Sequence, residues 1–147
     1  MEKYQKILFL CTGNTCRSPM AETILRNLMP EQEVMSRGLV VLFPEPVNPK
    51  AENVLSNHNL HLNNHVTRGL RAMDLEEGTL VLTMTEAQRE RVRKDFGMSE
   101  HLYTLKEFVG EYGDVTDPYG GTLMDYEDCY VELTRLIKKL VYKLAEE

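Results

Sequence analysis

Residues 7–18 read Ile7-Leu8-Phe9-Leu10-Cys11-Thr12-Gly13-Asn14-Thr15-Cys16-Arg17-Ser18, and Pro19-Met20-Ala21-Glu22 follow. Four apolar residues in a row predict a short strand buried on both faces. Gly13 and Asn14 permit backbone angles that other residues resist, and Pro19 suits the first turn of a helix. Strand, tight loop and helix N-terminus together form an anion cradle, because the first amides of a helix lack partners and point back at the loop.

The spacing of Cys11 and Arg17, C-x5-R, narrows the chemistry. Thr12, Gly13, Asn14, Thr15 and Cys16 can curl so that successive N–H groups face inward, and such a nest binds a tetrahedral oxyanion. The same donors, with the Arg17 guanidinium, would stabilise a thiolate at Cys11 and make it a nucleophile. Arg17 can fork two phosphoryl oxygens and hold charge as it spreads in the transition state, a task Lys does less well.

Outward from the loop, strands alternate with helices. Residues 6–10 and 19–28 make the first strand–helix unit, with Met20, Ile24, Leu25 and Leu28 at helical spacing. Residues 33–41 read as a second strand interrupted at Gly38, and Phe43-Pro44-Glu45-Pro46 as a rigid irregular loop. Asn48-Pro49 opens a helix that gives way to the Asn-rich and His-rich connector 57–64. A short polar helix is expected near 73–77, then a buried strand at 80–82. Thr85 with Gln88 starts the next helix as a capping box, Gly97 stops it, and 102–105 is the fourth strand. Tyr126, Tyr130, Leu133, Ile137, Leu140 and Leu144 form the apolar stripe of a last helix, opened by a Thr122/Asp125 capping box. The pattern predicts an α/β fold: a doubly wound parallel sheet flanked by helices, with ligands at the carboxyl ends of the strands.

A chain of 147 residues fits one domain, 1–147, able to bury its own core. No apolar run approaches the roughly 20 residues of a membrane span, and the N-terminus leads into a strand instead of a signal core, so a soluble cytoplasmic protein is expected. Three cysteines suit thiol chemistry in a reducing compartment better than a disulfide framework. The net charge of −6 argues against a nucleic-acid surface, so a phosphate site must be a local positive spot.

A phosphorylated leaving group needs a proton donor, and Asp117-Pro118-Tyr119-Gly120-Gly121 offers a carboxyl on a tightly shaped loop. By themselves these residues also read as a simple turn, since Asp before Pro commonly initiates one.

The string C-T-G-N-T-C-R-S-P-M-A-E, the S-x-G at 36–38, the strand running into Thr83-Met84, and D-P-Y-G-G resemble the low-molecular-weight protein tyrosine phosphatase family, in the same order along essentially the whole chain. The resemblance implies a four-stranded parallel sheet and phosphorylated protein substrates. It makes Cys11 the nucleophile that forms a phosphocysteine, Arg17 the phosphate ligand, and Asp117 the general acid and then base for the hydrolytic water. It places Asn14, Ser18, Ser36 and His65 in a supporting hydrogen-bond network. No metal or other cofactor is implied, because Arg17 and the backbone amides neutralise the phosphoryl charge. The oligomeric state is not implied either way.

Within the family, Thr15 and the Gly120-Gly121 pair resemble the protein arginine phosphatase branch. Tyrosine-directed members usually carry a β-branched aliphatic residue at the position of Thr15. A hydroxyl at the rim can orient a polar guanidinium, where an aliphatic group only packs on a phenyl ring; Thr15 could equally be a packing residue. Phosphoarginine hydrolysis is thus the first expectation and phosphotyrosine hydrolysis the alternative. A thiol arsenate reductase of this loop and fold needs further relay cysteines, and beyond Cys16 only Cys129 remains. Tyr119 is expected to line the cleft, or else to be an exposed loop aromatic.

Cys16 lies on the same curled loop as Cys11, which allows a reversible Cys11–Cys16 disulfide; a small buried loop residue is the other reading. His58, His61 and His65 lack accompanying thiols or carboxylates and are read as connector, not metal ligands. Arg89, Arg91, Arg93 and Lys94 alternate with acids as a solvated helix face.

Overall fold

The structure is a computed structural model, and it describes residues 4–62 and 65–146. A four-stranded sheet runs β1 (Lys6–Cys11), β2 (Glu33–Gly38), β3 (Thr79–Thr83) and β4 (Leu102–Thr104), in the spatial order β2-β1-β3-β4, every pair parallel. The helices are α1 (Arg17–Leu28), α2 (Pro49–Asn57), α3 (Glu86–Phe96), the short α4 (Leu105–Phe108) and α5 (Leu123–Glu146).

The period of two along β1 explains its unbroken apolar run. Ile7, Phe9 and Cys11 enter the larger core with α1, α2 and α5, while Leu8 and Leu10 enter the smaller core with Val81 and Val92 of α3. The chain leaves β1 for β2 on one side and returns to β3 on the other. Cys11, at the carboxyl end of β1, therefore sits at the switch point where such sheets bind ligands.

Three element boundaries differ from the sequence reading. Helix α1 starts at Arg17, two residues before Pro19; Pro19 occupies its third position, where no intrahelical N–H bond is lost. Strand β2 ends at Gly38, not 41. A Cβ there would lie 2.6 Å from Val41 Cγ2 and 3.0 Å from Asn14 N and Gly13 C, so only glycine lets β2 pack on the loop. Strand β4 stops at Thr104, which caps α4 in a reciprocal box with Glu107.

The polar helix expected near 73–77 is a 3-10 turn, Ala72–Leu75, whose buried Asp74 pairs with Arg37 at 3.2 Å. The Thr85/Gln88 and Thr122/Asp125 capping boxes form as read, and Gly97 ends α3 with φ 68°. On α5, Tyr126, Leu133, Ile137 and Leu140 are fully buried and Tyr130 and Leu144 partly so. Part of the connector read at 57–64, positions 63 and 64, lies outside the described residues. Among the described residues no helix is long and apolar enough to cross a membrane.

Candidate active site

The loop between β1 and α1 is held by a directed chain of hydrogen bonds centred on Asn14, which adopts φ 60° and is fully buried. Asn14 Nδ2 gives its two hydrogens to Ser18 Oγ at 2.9 Å and Ser36 Oγ at 3.0 Å. Ser36 passes its own proton to Glu22 Oε1 at 2.6 Å. Ser18, accepting from Asn14, keeps its proton for Cys11 Sγ at 2.9 Å, and Asn14 N also donates to that sulfur at 3.3 Å. Asn14 Oδ1 accepts from Arg68 N at 3.1 Å, so each polar atom of its side chain has a partner. His65 Nε2 meets the Asn14 carbonyl at 3.3 Å while its Nδ1 lies 4.0 Å from Glu22.

Arg17 is buried and held at both ends of its guanidinium. Its Nη1 donates to the Val115 carbonyl at 2.8 Å, and Val115 N in turn bonds Met84 O at the end of β3. The other terminal nitrogen lies 3.5 Å from Asp117 Oδ2. Asp117 is half-exposed, and its Oδ1 accepts from Tyr119 N at 3.0 Å, an Asx turn that orients the carboxyl. Catalytic candidates from both ends of the chain thus meet over the loop: Cys11, Arg17 and Asp117.

The remaining loop residues divide by exposure. Thr12 faces solvent, Gly13 and Thr15 are half-buried, and Cys16 is buried. Burial pushes the Cys16 thiol up, against lowering contacts from Tyr126 and Thr15. Burial likewise pushes Cys129 up to about 12, so this α5 residue is a core thiol. Two openings flank Asp117. One, of about 400 Å³, is lined by Thr12, Arg17, Gln88 and Arg91; the other, of about 630 Å³, by Tyr119, Asp125 and Cys129. Tyr119 is 72% exposed.

His58 and His65 serve separate ends. His58 stacks on Tyr130 and binds the Glu127 carboxylate at 2.9 Å, joining α2 to α5, whereas His65 contacts the Asn14 carbonyl. The charged face of α3 carries ion pairs from Arg89, Arg91 and Arg93 to Glu90, Asp95 and Glu107.

Sequence reasoning missed three participants. Glu22, a buried acid paired with Arg26 one turn along α1 at 2.8 Å, was a visible signal in the quoted stretch. Gln88 was legible only as a cap, and the Val115 carbonyl carries no side-chain signature at all.

A family model described as low molecular weight phosphotyrosine protein phosphatase matches residues 6–147. The chain belongs to that family. A low molecular weight protein-tyrosine-phosphatase, PtpB of Staphylococcus aureus, is 41% identical over 135 residues, 92% of this chain and 96% of that one. A solved YwlE arginine phosphatase from Geobacillus stearothermophilus is 36% identical, covers 96% and 93% of the two chains, and superposes with a TM-score of 0.89. A YwlE arginine phosphatase mutant with a phosphorylated active site serine is 35% identical, covers 97% of each chain, and has a TM-score of 0.90. This low molecular weight phosphatase is therefore a cysteine-dependent protein phosphatase, and its relatives include tyrosine-directed and arginine-directed enzymes.

Proposed function

We propose that this phosphatase removes phosphate from phosphoarginine in proteins. The Cys11 thiolate attacks phosphorus, the P–N bond breaks, and Asp117 protonates the leaving nitrogen. A water then attacks the phosphocysteine, giving its proton to Asp117, and the S–P bond breaks to release phosphate. Arg17 and the amides of residues 12–18 carry the phosphoryl charge throughout. Asn14, Ser18, Ser36 and His65 hold the loop, with Ser18 donating to the sulfur. One domain, 1–147, in the cytoplasm, completes the reading. A peroxide, reduced to water as it takes two electrons and two protons from the free, buried thiols of Cys11 and Cys16, would close a disulfide that shields the nucleophile until a thiol reductant reopens it.

The observation that carries arginine specificity is Thr15. It is half-buried on the loop, and its hydroxyl has a long 3.6 Å contact with Cys16 Sγ, leaving it able to bond a guanidinium. The 36% identity to an arginine phosphatase supports the same reading. Phosphotyrosine hydrolysis is the second reading, favoured by the 41% identity to a protein-tyrosine-phosphatase.

Turnover of matched phosphoarginine and phosphotyrosine peptides decides between them. The expected result is preference for phosphoarginine, moved toward phosphotyrosine by about tenfold or more in Thr15→Ile, as befits loss of one polar contact in a recognition site. Preferential phosphotyrosine turnover by the unmodified enzyme would overturn the proposal.

A further inference from the structure

Gln88 reaches from α3 to the phosphate loop, and all of its polar atoms are committed. Its Oε1 accepts from Met84 N at 2.9 Å and from Thr85 N at 3.0 Å. Turning the amide over would set its NH2 against two N–H donors, so Nε2 must occupy the other side. There it donates to Thr12 Oγ1 at 3.1 Å. Gln88 is 6% exposed, and its bond to the solvent-facing Thr12 is partly buried.

The consequence falls on Thr12. A hydroxyl that accepts from Gln88 retains its own proton. Thr12 follows Cys11 directly, its carbonyl is fixed by Val40 N at 2.9 Å, and its side chain lines the 400 Å³ cleft with Arg17 and Asp117. We infer that Gln88 is a positioning residue: it sets the Thr12 hydroxyl as a donor to a phosphoryl oxygen of substrate held over Cys11. The inference rests on the reading of residues 11–17 as a phosphate loop. A hydroxyl–oxyanion bond in such a site is worth roughly tenfold in affinity.

The probe is inorganic phosphate, titrated calorimetrically into Thr12→Val, Thr12→Ser, Gln88→Glu and the Thr12→Val/Gln88→Glu double variant. Gln88→Glu keeps an acceptor for Met84 N and Thr85 N but presents oxygen to Thr12, which must then spend its proton there. Thr12→Val and Gln88→Glu should each weaken phosphate binding about tenfold, Thr12→Ser should retain it, and the double variant should be no weaker than the worse single one. Unchanged binding in Thr12→Val would overturn the inference. So would a Gln88→Glu loss that multiplies onto that of Thr12→Val, since the introduced charge would then act without Thr12. If circular dichroism shows Gln88→Glu unfolded, the Thr12→Val and Thr12→Ser pair still decides. Inorganic phosphate that fails to bind the unmodified protein at all would instead sink the underlying phosphate-loop reading.

Discussion

Asn14 concentrates the residue-scale physics of this enzyme. Its left-handed φ of 60° is tolerated because its short amide satisfies Ser18, Ser36 and Arg68 N at once. Asn14→Ala removes all three partners and keeps the strained backbone, so it should destabilise the fold by about 3 kcal/mol or more. A chemical-denaturation midpoint close to that of the unmodified protein would show that the loop is held by other means. Motif reading found Asn14, Ser18 and Ser36 but not why they belong together. The proton directions follow from both ends of the chain of bonds: Arg68 N–H can only donate, which puts Asn14 Oδ1 on its side, and the Glu22 carboxylate takes the Ser36 proton.

Among the elements, the segment from Val109 to Gly121 matters most because it carries Asp117 without regular structure of its own. It is pinned at several points instead. Glu111 binds Arg135 at 2.6 Å and Lys139 at 2.8 Å on α5, Asp114 accepts from Glu86 N at 2.9 Å on α3, and Gly121 O accepts from Lys50 Nζ at 2.6 Å on α2. Hydrogen bonds from Arg135 and Lys139 hold the Glu111 carboxyl at about 2, below its ordinary 4.5. A depressed carboxyl contributes stability that is full above the unfolded value and is lost as pH falls toward the folded one. Glu111→Gln should therefore lower stability near neutral pH by the modest amount expected of partly exposed pairs, about 0.5–1 kcal/mol, seen as a lower Tm. The gap from the unmodified protein should close as pH falls from 4.5 toward about 2. A gap that persists unchanged across thermal melts in that range would show that Glu111 acts by packing. Helix α4 shows what element-scale reading overlooks: Thr104-x-x-Glu107 is a legible capping box, masked by the apolar residues that precede it.

At the scale of the whole molecule, the sheet divides two unequal cores, and α1, α2 and α5 carry the larger one. Ile137 is fully buried there, on α5. Ile137→Ala should cost about 2–5 kcal/mol, the range for deleting a buried aliphatic side chain. That corresponds to a Tm lower by roughly 5–15 °C, read by calorimetry. A shift of only a degree or two would mean that α5 contributes little to the cooperative fold.

The sequence by itself determined the α/β class, the strand that runs into Cys11, the loop that follows it, and most helix ends. These are encoded locally, in apolar period, caps and glycines. Tertiary structure alone decided that Val115 anchors Arg17, that Glu22 terminates the Asn14 network, and that Gln88 reaches Thr12. Gln88 and Thr12 lie 76 residues apart and Arg17 and Val115 98, in separate strand–helix units, and Glu22 joins Asn14 only through Ser36 of β2. Only the parallel crossovers of the sheet bring them together, and one of them is a backbone carbonyl that every residue possesses.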